Sequence, residues 1–215
     1  MNSGGQLLED PAQPVIEMLA EADMESVRQT ARLPGQARSL RHRQSDTLAF
    51  RGYEVAGMSH ADSRYRRPPG PCPPGARWSQ FPHTHVVHAM LDALIRWVDA
   101  DVSPPPGRVL DTEPGSGELL VRDELGHARG GVRMADVDFP LARRHVITPG
   151  PDTWMFGHEY PLTSCQFTAR YGNPATYLAA AASRLDVLVG ERLVLADDAA
   201  RWLEETEQSL TRPAV

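Results

Sequence analysis

Asp23 and His60 are the pair whose types and placement could do acid–base chemistry together. Each follows closely on a short apolar run. Pro14 to Ala20 reads Pro-Val-Ile-Glu-Met-Leu-Ala, and Leu48 to Ala56 reads Leu-Ala-Phe-Arg-Gly-Tyr-Glu-Val-Ala. A histidine just past the end of a buried strand is well placed to act as a base. A carboxylate beside it would hold the imidazole in one tautomer and stabilise the imidazolium formed when a hydroxyl gives up its proton. Spacing alone equally allows a capping aspartate and a hydrogen-bonded loop histidine.

The elements that must bring the pair together can be read from the same stretches. The length and β-branched start of Pro14–Ala20 predict a buried strand. Glu21-Ala22-Asp23-Met24 then places two carboxylates at the C-terminal edge, where sites assemble in open α/β sheets. Ser26 to Leu33 is expected to be a short helix, stopped by Pro34-Gly35. The Arg-rich remainder, with Arg38, Arg41, His42 and Arg43, reads as a solvated loop. Ser45-Asp46-Thr47 turns the chain into the strand Leu48 to Ala56. A strand, a crossover and a second strand predict a parallel pair with a right-handed connection. Asp23 and His60 then sit on one edge of the sheet, with Asp62 capping or bracing the His60 loop.

Beyond this centre, residues 63–82 are a Pro-rich excursion. Pro82 to Ala100 carries Val86, Val87, Met90, Leu91, Leu94, Ile95, Trp97 and Val98 at helical spacing, which predicts a helix with a wide apolar face. Val109 to Asp111, Glu118 to Glu124 and Val137 to Phe139 are short strand candidates separated by turn signals. Residues 146–172 read as irregular. Asn173-Pro174 opens a helix that Gly190 ends, and another helix begins near Asp197. The expected organisation is a core over residues 14–106 and a β-hairpin and helical extension over 107–215, packed on the same domain.

The chain has 215 residues, 41% of them apolar, enough to bury a real core. A net charge of −6 argues against a nucleic-acid binder, which shows a clustered basic face. Cys72 and Cys165 do not make a disulfide framework, though one bridge stays open. The first residues lack the basic and apolar regions of a secretory signal. No apolar run approaches the ~20 residues that span a bilayer. A cytoplasmic protein without membrane contact is expected, and no cofactor is called for.

The runs Pro14 to Asp23 and Tyr53 to Asp62 resemble a bacterial α/β-hydrolase domain family of esterase-like proteins. The likeness continues through Pro82-His83-Thr84-His85-Val86-Val87, Ile95-Arg96-Trp97-Val98, Pro104-Pro105, Arg122-Asp123-Glu124-Leu125-Gly126 and Gly130-Gly131-Val132-Arg133. It covers most of the chain from Pro14 onward, including the helical C-terminus. The resemblance implies an α/β-hydrolase fold, a small-molecule ester substrate, His60 as the catalytic histidine, and Asp23 as the acid, with Glu21 its substitute. The family's nucleophile elbow, Gly-x-Ser-x-Gly, lies upstream of the acid strand, and these 215 residues contain none. Pro114-Gly115-Ser116-Gly117 has the wrong glycine spacing, and Ser59 stands next to His60, where adjacent side chains point apart. The expectation is therefore the C-terminal portion of a hydrolase, inactive by itself. A partner chain or an N-terminal half would supply the serine.

Two other readings compete. His85 and His88, with Asp92 four residues further on, share a helix face and are candidate zinc ligands. The second reading is a non-catalytic assembly module, since two strands and one long helix leave an open sheet edge that invites another chain. Arg133 reads as a surface arginine beside a hairpin, with anion binding as its alternative. Neither cysteine shows a signal of activation.

Overall fold

The computed structural model describes residues 11–30, 43–115, 119–150 and 152–211. Strand β1, Val15–Ala20, pairs along its whole length with β2, Phe50–Val55, in parallel register from Val15 opposite Phe50 to Ala20 opposite Val55. On the far side of β2, two later segments add single parallel bridges, Arg108 to Tyr53 and Val132 to Val55. Glu54 N–H donates to the Arg108 carbonyl at 2.8 Å, and Ala56 N–H to the Val132 carbonyl at 3.0 Å. A strand with neighbours on both sides is largely buried, and Phe50, Tyr53 and Val55 are fully so. The Glu54 carboxylate is buried among them. It accepts from Leu110 N–H at 2.7 Å and from the Arg43 guanidinium at 2.8 Å. Burial raises its pKa, and these two partners hold the rise back.

Helix α1, Glu21–Thr30, begins directly after β1, earlier than the predicted Ser26 start. Asp23 explains the shift. Its Oδ2 reaches back to Ala20 N–H at 2.9 Å, as the third-position acid of a capping box does. Glu21 and Asp23 also place negative charge in the first turn, where the helix dipole favours it. The predicted end at Leu33, and the loop to His42, lie outside the described residues.

Strand β3, Arg77–Trp78, precedes helix α2, His83–Ala100, which matches the predicted helix. Its buried face is narrower than the sequence suggests. Val86, Met90 and Trp97 pack inward, whereas Leu91, Ile95 and Val98 are more than half exposed. The predicted hairpin forms through antiparallel bridges from Leu110 to Gly130, Thr112 to Leu120 and Arg122 to Ala128. Gly131 takes φ +64° there, and a Cβ would lie 2.4 Å from the Glu54 carbonyl, so only glycine lets the hairpin close against β2.

Two expectations change downstream. Val137 to Phe139 belongs to a short helix, α3, Ala135–Asp138, and not to a strand. Three residues cannot distinguish the two periods, and Asp136 and Asp138 find partners in Trp202, Arg133 and Arg184 that only the folded chain provides. Residues 146–172 are not wholly irregular. Strand β4, Ala142–His145, pairs antiparallel with β5, His158–Pro161, which also pairs with β3. These strands lack apolar alternation because Arg144 and Glu159 are buried against each other at 3.0 Å. Helix α4, Ser164–Tyr171, follows, closed by a Thr163–Gln166 capping box.

Asn173 caps helix α5, Pro174–Gly190, by accepting from Thr176 N–H at 3.0 Å. The helix ends at Gly190 as expected, and Arg192 at φ 59° then turns the chain. Helix α6, Ala196–Thr211, packs on α5 and sends Trp202 Nε1–H to Asp136 at 2.7 Å. The cores merge around Phe81, Leu110, Met134, Tyr177 and Leu185. No helix among the described residues is long and apolar enough to cross a membrane.

His127 sits in the hairpin turn with 1% exposure, and its Nε2 accepts from Arg144 N–H at 3.1 Å. Burial, reinforced by the Arg144 charge, pushes its pKa from 6.5 down to about 4. The folded state therefore favours neutral His127. Its contribution is complete above pH 6.5 and is lost as pH falls toward 4. Urea unfolding should show about 3 kcal/mol of stability lost to this group between roughly pH 7 and pH 4. His127→Gln should flatten that part of the profile, and an unchanged profile in the variant would contradict the assignment.

Candidate active site

The site is built where the two parallel strands end. The chain leaves β2 through Gly57 at φ +74°, where a Cβ would meet the Val137 side chain at 2.7 Å. A residue with a side chain would be strained there twice over, by its backbone and by the contact. Glu21, 1% exposed, then joins the two strand ends. Its carboxylate accepts from Gly57 N–H at 2.7 Å, from Arg122 at 2.6 Å and from Ala128 N–H at 3.4 Å. Ala22 N–H adds a bond to the Met58 carbonyl at 3.1 Å. Burial pulls the Arg122 pKa down, but Glu21 and Glu25 outweigh it, so the guanidinium stays charged.

This brace sets Asp23 beside His60. Asp23 Oδ1 lies 2.6 Å from His60 Nδ1, and Oδ2 is fixed by Ala20 N–H at 2.9 Å. A carboxylate facing Nδ1 draws the ring proton there and leaves Nε2 with its lone pair free to accept another. Among the described residues Nε2 has no hydrogen-bond partner. The His60 side chain is 46% exposed, and its ring lies against Trp154 with centroids 5.6 Å apart. A reactant hydroxyl therefore has a path to Nε2. The pair has the geometry of a base held by its orienting acid.

Glu21 and Asp23 thus divide the two carboxylates seen in the sequence. All of Glu21's contacts lie at the brace, which excludes it as the acid facing His60. The loop around His60 is fixed on both flanks. His83 Nε2 meets the Ser59 carbonyl at 2.7 Å, and Asp62 accepts from Arg64 N–H at 2.8 Å. Ala61 N–H bonds the Met155 carbonyl at 2.8 Å, which ties the loop to the segment carrying Trp154. Sequence reading missed His83 and Trp154 as neighbours of the site. His83 is legible only as an early residue of the predicted helix and part of the family likeness, and Trp154 lies in a stretch that reads as irregular.

Ser59 is fully buried, and its hydroxyl donates to the Ala61 carbonyl at 3.0 Å, so it faces away from His60's open nitrogen. Ser116 lies outside the described residues. Both cysteines are free, which closes the possibility of a bridge between them. Burial, with Glu159 nearby, raises the Cys72 thiol pKa, the wrong direction for a nucleophile.

The three candidate zinc ligands do not converge. His88 Nδ1 bonds Asp198 of α6 at 2.9 Å, and His85 Nε2 lies 4.0 Å from the same carboxylate. Asp92 instead pairs with Arg96 at 2.8 Å. Arg133 is neither a surface residue nor an anion site. It is half-buried and donates to Asp138 at 2.6 Å and to Asp123 at 3.0 Å.

Removing Glu21 should be far more damaging than altering Asp23. Glu21→Ala strips two backbone N–H groups and a partly buried guanidinium of their acceptor, and should lower stability by about 3–5 kcal/mol. Asp23→Asn should cost about 1 kcal/mol or less, since the surroundings are partly exposed. Urea denaturation of both variants measures the difference, and equal losses would contradict the division of roles.

Comparison with known proteins agrees with this architecture. A family model described as an alpha/beta hydrolase domain matches residues 2–204. No curated protein matches the chain, and no solved structure does. The match takes in β1, the His60 loop and the hairpin and ends within α6, and the chain belongs to the alpha/beta hydrolase domain family.

Proposed function

We propose that this chain carries the His60–Asp23 part of a Ser–His–Asp carboxylic-ester hydrolase. The observation that supports it is the 2.6 Å contact between His60 Nδ1 and Asp23 Oδ1, with the opposite ring nitrogen left accessible. In this reading His60 takes the proton of an attacking serine hydroxyl as an acyl-enzyme forms. It then returns that proton to the leaving alcohol. Asp23 holds the imidazole through its contact with Nδ1. For the second half-reaction His60 activates a water that attacks the acyl group. The serine comes from sequence outside these 215 residues, because Gly-x-Ser-x-Gly is absent here. Trp154 would form one wall beside the reacting centre.

A second reading rests on a different observation. Among the described residues, β1 has β2 as its one strand neighbour, so it stands at the edge of the parallel sheet. Such an edge suits an added strand. If that strand brings no nucleophile, the chain is an assembly module and the His60–Asp23 contact is structural.

A short-chain nitrophenyl ester assay separates these readings. The chain alone should show no turnover that depends on His60. Joined to a polypeptide that supplies a Gly-x-Ser-x-Gly elbow, it should hydrolyse the ester. There His60→Ala and Asp23→Asn should each lower kcat by roughly 10⁴-fold. Turnover by the isolated chain that His60→Ala abolishes would show a nucleophile within it and refute the proposed division. A joined protein indifferent to both substitutions would favour the assembly module.

A further inference from the structure

His83 is 6% exposed and opens helix α2, and both of its ring nitrogens face acceptors. Nε2 lies 2.7 Å from the Ser59 carbonyl, and Nδ1 lies 3.0 Å from the Phe81 carbonyl. A carbonyl oxygen only accepts, so each contact needs a proton on the nitrogen. A neutral imidazole carries one such proton, and the imidazolium carries two. The neutral ring would leave one lone pair pointing at a carbonyl oxygen. The Ser59 hydroxyl does not resolve this conflict. It lies 3.4 Å from Nε2, but its proton goes to the Ala61 carbonyl at 3.0 Å.

Burial and the N-terminal end of a helix both disfavour a cation, so a charged ring here needs a counter-charge. The first turn of α2 carries no acid of its own. Asp62 is placed to supply the charge from the His60 loop. Its Oδ1 accepts from Arg64 N–H at 2.8 Å. Its Oδ2 is buried without a hydrogen-bond partner among the described residues and lies 3.5 Å from His83 Nδ1. One ring thus meets the chain on both sides of His60, at Ser59 before it and at Asp62 after it. The Ser59 carbonyl and the His60 N–H belong to a single rigid peptide plane. Holding that carbonyl fixes the direction in which His60 leaves the backbone.

We propose that His83, as an imidazolium paired with Asp62, is a positioning residue for His60, holding the Ser59–His60 peptide so that the His60 ring stays on Asp23. This rests on the reading of His60 and Asp23 as a base and its orienting acid. His83 itself touches no reactant, and its effect passes through the Ser59 carbonyl. Asp62 acts one step further back, by making the charge on His83 tenable.

Imidazole nitrogen NMR and amide hydrogen exchange on the full chain test this. At about pH 7.5 an unpaired, exposed histidine is mostly neutral. The His83 ring should nonetheless show two N–H protons there, and the His60 ring a single tautomer protonated at Nδ1. His83→Ala should give His60 a mixture of tautomers and speed exchange of the Ala61 amide about tenfold. His83→Gln, whose amide can still donate to the Ser59 carbonyl, should recover part of both. Asp62→Asn should remove one His83 ring proton at the same pH and loosen the loop in the same way. A single ring proton on His83 in the unaltered chain would overturn the proposal. So would a His60 ring and an Ala61 exchange rate unmoved by either His83→Ala or Asp62→Asn. If His83→Ala does not fold, Asp62→Asn and His83→Gln make the same comparison. A His60 ring protonated at Nε2 in the unaltered chain would refute the orienting-acid reading and, with it, the role given to His83. An Nδ1 proton that persists in all three variants would refute the role of His83 alone.

Discussion

The structure around the candidate site depends on one buried carboxylate. Glu21 stands at the junction of β1 and α1, yet its bonds run to the turn after β2 and to the hairpin at Arg122 and Ala128. Parallel strands have no tight turn to fix how their ends meet. Here the fixing is done by a side chain. A carboxylate buried at 1% exposure is stable only when its lone pairs are filled, so the three donors are mutually required. Glu21 thereby ties three distant segments of chain to one point.

With that point fixed, the Asp23–His60 geometry follows. Asp23 is two residues along the same helical turn, and its second oxygen is held by Ala20 N–H. His60 is three residues beyond Gly57, whose N–H Glu21 grips. The His60 loop is further held by His83 at Ser59, by the bridge from Ala61 to Phe156, and by the turn at Asp62. A base must be oriented within a narrow range to receive a proton. The arrangement leaves the ring little freedom except at its exposed face.

Charge pairing takes the place of apolar patterning in the remainder of the fold. Arg144, Glu159, Asp136 and Trp202 form a connected polar cluster under α6. Arg133 and Arg184 converge on Asp138. Such clusters are invisible to a periodicity argument, because each residue reads locally as a solvent-facing charge. This is why β4, β5 and α3 were not legible, whereas β1, β2 and α2 were. Helix α2 buries Val86, Met90 and Trp97 at helical spacing, and β1 and β2 stand out as short apolar runs bounded by polar residues. For the same reason Leu91, Ile95 and Val98 misled: they have helical spacing, but nothing in the described fold covers them.

By itself the sequence determined the two strand ends, the order of acid and histidine, the main helix and the family likeness. Each of these is written in local residue type and spacing. Tertiary structure decided which carboxylate faces the histidine. Glu21 and Asp23 are two residues apart and chemically alike, so no local rule separates them. They part company because Arg122, Ala128 and Gly57 reach one and His60 reaches the other. The same holds for His85 and His88, whose spacing suggested Asp92 but whose carboxylate neighbour, Asp198, arrives from α6 over a hundred residues later. Spacing along a chain limits which side chains can meet. Burial and the filling of every buried donor and acceptor decide which of them do.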